Sequence, residues 1–264
     1  DVNESILKFS VDKNKNIRFG LGAVKGVGES AVQNIIEERK KNGPYKSIFD
    51  FVERVNLTAC NKKNIESMAL AGAFDNFGIL REQFFTDSVK GFLDTLVRYG
   101  NKYQMDKSTA VNSLFGGDAL IAIAKPEIPQ CERWSDLERL NKEKELVGIY
   151  LSAHPLDEYR IILKYVCNTG MVELNERETL QGREVLLGGI VTGFREGMTK
   201  NGKPYGILKI EDFTGSGEIP LFGQDYIEYS KYGKIGMYLL ITARVEPSRW
   251  DPNKLDFKIG TVNL

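Results

Sequence analysis

The sequence predicts an α+β multidomain chain of 264 residues, all-helical at its start and all-β at its end. Three observations predict it. Apolar residues recur at helical spacing through the first hundred positions. Periodicity then fades through a stretch holding Gly116, Gly117, Pro126 and Pro129, and from residue 184 the apolar period changes to two. A chain of this length accommodates about two domains of ~100–200 residues, each with its own core.

The first strong signal is GLGAVKGVGES at residues 20–30, with glycines at 20, 22, 26 and 28. Behind it Ala31, Val32, Ile35 and Ile36 form one stripe of a helix that Asn42-Gly43-Pro44 stops. Ser47, with Asp50 three residues on, opens a second, short helix buried through Ile48, Phe51, Val52 and Val55. A third begins after Asn61 and carries Ile65, Met68, Ala69 and Phe74. A longer fourth is predicted from Leu80 to about Tyr99, with Phe84, Phe85, Val89, Phe92 and Leu96 inward. Residues 1–103 are read as this helical module and 104–134 as a connector with no packed core. Ser135 with Glu138 opens a further helix through Leu137, Leu140, Val147 and Leu151, closed by Pro155, in a helical connector over 135–180.

From 181 to 264 the pattern is all β. Val185, Leu187 and Val191 alternate, then Leu208 and Ile210, Ile219 and Leu221, Leu239 to Val245, and Leu255, Phe257 and Ile259, which makes five strands. Asn201-Gly202 marks the first turn, TGSG at 214–217 the second, and the helical stretch DYIEYSK separates the third strand from the fourth. Five strands with a helix between the third and fourth is the pattern of an OB barrel.

Bulk properties narrow the function. No apolar run reaches the ~18 residues a membrane span needs. Cys60, Cys131 and Cys167 are far apart and form no C-x-x-C pair, which argues against a disulfide framework or zinc site and for a reducing cytoplasm. The chain opens DVNES without a methionine or a leader, so residue 1 is expected to lie inside a longer protein. Net charge is zero, but residues 13–63 carry 11 Lys or Arg against 5 Asp or Glu. That basic block surrounds the glycine cluster.

The cluster fits neither nucleotide fold. Its spacing is G-x-G-x-x-x-G, with no acid over residues 40–46 where a dinucleotide site wants one, and no G-x-x-x-x-G-K-[ST] can be laid over it. What remains is a short helix, a tight KGVG turn and a second helix whose free N–H groups can grip one phosphate. Amides and a helix dipole read no base, so the expected ligand is duplex DNA of any sequence, held by Lys25, Gly26, Val27 and Gly28 with Lys62 and Lys63 from the same basic block. The plain alternative is a tight αα-turn with no ligand.

LGAVKGVGESAVQNII resembles a helix-hairpin-helix DNA-binding motif. The longer FGLGAVKGVGESAVQNIIEERKKNGPYKSIFDF, followed by LAGAFD, resembles the region after the fingers of bacterial DNA polymerase III alpha subunits. GIYLSAHPLDEY at 148–159 resembles another hallmark of that family, and an OB domain follows it there too. The resemblance covers the whole chain in order, and it implies that residues 1–103 are the end of the fingers plus a tandem helix-hairpin-helix domain. The OB placed after the hairpins argues against the gram-positive relative and NAD-dependent DNA ligases, where it comes earlier. It implies the C-terminal region of a cytoplasmic replicative DNA-directed DNA polymerase, a nucleotidyltransferase whose metal-binding palm aspartates lie upstream. This stretch alone is then expected to be inactive and to need no cofactor. The implied partners are double-stranded DNA, single-stranded DNA, the sliding clamp and other replisome subunits, with no membrane.

Within the connector, Ser113, Leu114 and Phe115 match the end of the family's clamp-binding peptide, with Val111 where Gln is common. Two large apolar neighbours on a connector need a partner pocket. For the barrel, basic and aromatic residues on the second strand and first hairpin are the single-strand candidates: Arg195, Lys200, Lys203, Tyr205, Lys209 and Phe213. His154, the only histidine, reads as a C-capping or packing residue, since no catalytic or metal partners stand near it in sequence. The competing reading from another class is a protein-interaction platform whose hairpins and barrel are structural and do not bind DNA directly.

Overall fold

The computed structural model describes residues 1–86, 91–112, 123–247 and 255–264. Its first element corrects the all-helical reading of residues 1–103: β1 (Ser10–Val11) pairs antiparallel with β2 (Ile17–Arg18). Two residues are too few to register as alternation, and the ladder is made by its turn. There Asp12 Oδ1 accepts the Asn14 and Asn16 N–H groups at 2.8 and 2.9 Å, and Lys15 takes a left-handed φ of 65°.

Helices α1 (Glu29–Asn42), α2 (Ile48–Arg54) and α3 (Lys62–Leu70) bury the faces that periodicity assigns. Ala31, Val32, Ile35, Phe51, Val52, Ile65 and Met68 are fully buried in one core. Ser47 caps α2, its hydroxyl accepting the Asp50 N–H at 3.2 Å.

The fourth helix lies further along than expected. Residues 81–85 form a 3₁₀ turn, 87–90 including Val89 lie outside the described residues, and α4 runs Phe92–Asn112 into the stretch read as connector. Gly100 explains the difference. Glycine weakens a helix interior by about 0.5–1 kcal/mol relative to alanine, so it reads as a stop. Here it allows close packing, because a Cβ at that position would sit 2.7 Å from the Val52 carbonyl oxygen. One turn on, Gln104 Nε2 donates to the carbonyls of Val52 and Val55, both at 2.8 Å, and satisfies the open end of α2.

Helix α5 (Asp136–Val147) begins at Ser135, whose Oγ accepts the Glu138 N–H at 3.2 Å. It ends at Gly148 rather than Pro155: Gly148 adopts φ 87° and returns its N–H to Lys144 O at 2.7 Å, a left-handed helix stop. Leu151 therefore lies beyond the helix, half exposed. Glu143 anchors α5, accepting Arg81 Nη1 at 2.9 Å and the N–H groups of Leu151 and Ser152 at 2.7 and 2.8 Å.

The chain divides into two compact units, Asp1–Ala153 and His154–Leu264, and the segment 135–180 is shared between them. The second unit opens with α6 (Arg160–Tyr165) and continues as β3 (Glu184–Met198), β4 (Pro204–Glu211), β5 (Ser216–Phe222), α7 (Gln224–Tyr229), β6 (Tyr238–Pro247) and β7 (Leu255–Asn263). The strand order is β5-β4-β3-β6-β7, all antiparallel. Strand β3 pairs with β6 along its first half and with β4 along its second, bending at an irregularity between Val191 and Gly193. A long first strand shared by both halves of the sheet, with α7 between the third and fourth strands, is the OB topology. The alternating residues fill its core: Leu187, Ile210, Ile219, Leu221 and Val245 are fully buried.

Candidate nucleic-acid interface

The 3₁₀ turn Leu21–Ala23, the turn 24–28 and α1 make the first hairpin. Val24 and Val27 pin it by burying their side chains, and the Val27 N–H donates to Val24 O at 3.0 Å. Gly26 adopts φ 85°, a conformation other residues resist, and its carbonyl accepts Asn64 Nδ2 at 2.8 Å. The Lys25 N–H is used as well, donating to Leu146 O at the end of α5 at 2.9 Å. Lys25, Gly26 and Gly28 are exposed.

Gly28 is the N-cap of α1 with φ −76° and no side-chain cap, so the first amides of the helix and the positive end of its dipole are left open. A Cβ at Gly28 would meet nothing within 4 Å, whereas one at Gly26 would meet Ser67 Oγ at 2.9 Å. Gly26 is explained by the turn itself. Among the described residues no atom comes close enough to call for a glycine at 28.

The second hairpin, α2 to α3, is closed. Asn61 and Asn64 form a reciprocal capping box, each side chain accepting the other's N–H at 3.2 and 3.1 Å. Lys62 pairs with Asp94 at 2.6 Å and Lys63 with Glu66 at 3.6 Å. Elsewhere in the basic block Arg54 pairs with Glu38 and Asp50, both at 3.0 Å, and Arg39 donates to Val2 O at 2.7 Å. Much of the local basic excess is thus spent on structure, and the open hairpin is the first one.

On the sheet, the outward positions of β3, β4 and β5 fall in cross-strand rows: Gly197, Tyr205 and Phe222; Arg195, Ile207 and Pro220; Gly193, Lys209 and Glu218. Arg195 and Lys209 are exposed, Arg195 lying 3.8 Å from Glu218. Lys200 and Lys203 stand exposed at the β3–β4 turn. Phe213 does not join this face. It follows β4, its ring 4.5 Å from that of His154 and 5.0 Å from the Arg160 guanidinium. His154 caps the turn that follows it rather than α5, its Nδ1 accepting the Leu156 N–H at 3.1 Å. Ser113, Leu114 and Phe115 lie outside the described residues, as does the side chain of Val111.

Sequence reasoning missed Asn64, Leu146 and Phe222. The Asn61/Asn64 spacing signals a cap but not the bond to Gly26, and Leu146 acts through its backbone. Phe222 is legible only once β4 and β5 are in register. Among the described residues no cluster of three His, Cys, Asp or Glu is arranged to hold a metal, and no helix is long and apolar enough to cross a membrane. Cys60 is fully buried, and that burial pushes its thiol up to about 12.

These parts define a helix-hairpin-helix protein with an OB-type sheet, and residues 1–84 match the helix-hairpin-helix motif family. The chain belongs to the DNA polymerase III alpha subunit family. It is 31% identical to DNA polymerase III subunit alpha of Vibrio cholerae over 93% of its length and 21% of the relative's. To that of Treponema pallidum it is 37% identical over 84% of its length and 18% of the relative's. It therefore spans about a fifth of these relatives. Among solved structures, Rim1, a mitochondrial single-stranded DNA binding protein of S. cerevisiae, is similar over 32% of this chain and 94% of its own at 16% identity, with a TM-score of 0.25.

Proposed function

We propose that this chain is a non-catalytic, nucleic-acid-holding region from the C-terminal part of a cytoplasmic replicative polymerase. The helical module over 1–103 holds duplex DNA by its backbone, the connector 104–134 carries a clamp-binding peptide at Ser113, Leu114 and Phe115, 135–180 links the modules, and the OB module over 181–264 takes single-stranded template. The observation that carries the duplex reading is Gly28: an uncapped helix N-terminus, exposed, at a glycine that no neighbour among the described residues requires. A phosphate oxygen approaching those amides needs the space a Cβ would fill. Lys25 supplies the charge beside it. Lys62 and Lys63 join only by exchanging Asp94 and Glu66 for phosphates.

The competing reading, a protein-interaction platform, has one observation in its favour, the extent to which the basic block is already paired. Salt separates the two. Fluorescence anisotropy of a labelled duplex should give an affinity that falls steeply with salt and does not depend on sequence. No duplex binding at low salt would refute the DNA-holding reading. For the peptide, alanines at Leu114 and Phe115 should abolish clamp binding and leave duplex binding intact. Unchanged clamp affinity would exclude that role.

A further inference from the structure

We infer that Tyr205 and Phe222 together form a base-stacking floor at the hairpin end of the OB sheet, and that single-stranded nucleic acid crosses β3, β4 and β5 over them. The inference rests on the single-strand reading proposed above and deepens it by naming the surface and the residue that complete the site. Tyr205 and Phe222 are cross-strand partners. Their ring centroids are 5.6 Å apart with planes 34° from one another, a tilted pair on the outward face of the sheet. Phe222 is 53% exposed, so its ring is open to a ligand.

Gly197 shapes the floor. It is the β3 partner of Tyr205, and a Cβ there would lie 2.8 Å from the tyrosine ring. The missing side chain lets the Tyr205 ring lean over β3. Charge is graded along the same face. Glu218 lies two rows from Phe222, whereas Lys200 and Lys203 occupy the turn next to Tyr205. An exposed Phe222 ring beside a half-buried Tyr205, with cations at their border and the acid displaced, suits a strand whose bases stack and whose phosphates meet lysines, with no base identity read.

The test uses the full chain, labelled oligo-dT and a labelled duplex, with Phe222→Ala, Phe222→Trp and Tyr205→Ala. Removing either ring should weaken oligo-dT binding by roughly 5- to 150-fold, the range for one stacked base, and leave duplex affinity unchanged. Phe222→Trp should keep the affinity, and its added emission should be quenched by oligo-dT. If the parent chain binds oligo-dT and Phe222→Ala binds it equally well, the floor is wrong and the wider reading stands. If the parent chain does not bind oligo-dT at low salt, both fall.

Discussion

Asn64 Nδ2 donates to the Gly26 carbonyl at 2.8 Å, while the same side chain accepts the Asn61 N–H at 3.1 Å. One amide thus caps α3 and holds the turn in front of α1. Asn64→Ala should lose both bonds and destabilise the fold by about 1–3 kcal/mol in urea melts. Asn64→Asp keeps the acceptor toward Asn61 but sets a carboxylate against the Gly26 oxygen, so it should recover part of the stability and none of the duplex affinity. An Asn64→Ala chain that binds duplex as well as the parent would show that the turn needs no such support.

Gly28→Ser separates stability from binding. Serine is a better N-cap than glycine by a few tenths of a kcal/mol, and its oxygen would occupy one of the open first-turn amides of α1. The melting temperature should hold or rise slightly while duplex affinity falls. If both rise, the amides are not the phosphate site.

The lysines should differ in their salt signature. Lys25→Ala removes an exposed charge beside the open amides and should lower the slope of log affinity against log salt by about 0.9. Lys62→Ala, already paired with Asp94, should change that slope by much less. Equal slopes for the two variants would remove the distinction between the hairpins.

Acid should loosen the α5 anchor. Burial pushes the Glu143 carboxyl up, but donors from Ser152, Arg81 and Leu151 outweigh it and hold the group below its ordinary value. A depressed carboxyl contributes stability that is complete above the unfolded-state value, about 4.3 for glutamate, and disappears as pH falls through the lower folded-state value. Glu143→Gln should flatten that acid limb in urea melts taken between pH 3 and pH 7. Arg81→Leu strands a buried carboxylate and should cost about 3–5 kcal/mol at pH 7.

The helical and β modules were legible because their burial follows simple periods, from Val32 and Ile35 to Leu187 and Ile219. Boundaries failed where one glycine admits two meanings. Gly100 looked like a stop and is a packing contact, while Gly148 looked like part of a helix and is its end. The hairpin was legible from its glycines, but the difference between an open and a closed hairpin was not. That difference lies in Asn64, Asp94 and Leu146, brought in by tertiary contacts no local pattern encodes. Phe213 lies off the sheet face for a similar reason, since its environment is set by His154 and Arg160, more than fifty residues earlier in the chain.

The Lys25 to Leu146 hydrogen bond bears on what can be transplanted between relatives. The eleven residues of the glycine cluster look like a portable cassette, yet a main-chain donor in that cassette is completed by a main-chain acceptor contributed by a helix far along the sequence. Grafted alone, the cassette would arrive with an orphaned amide and an unsteadied turn. The smallest exchangeable piece is the whole unit Asp1–Ala153, whose α5 travels with the turn it completes.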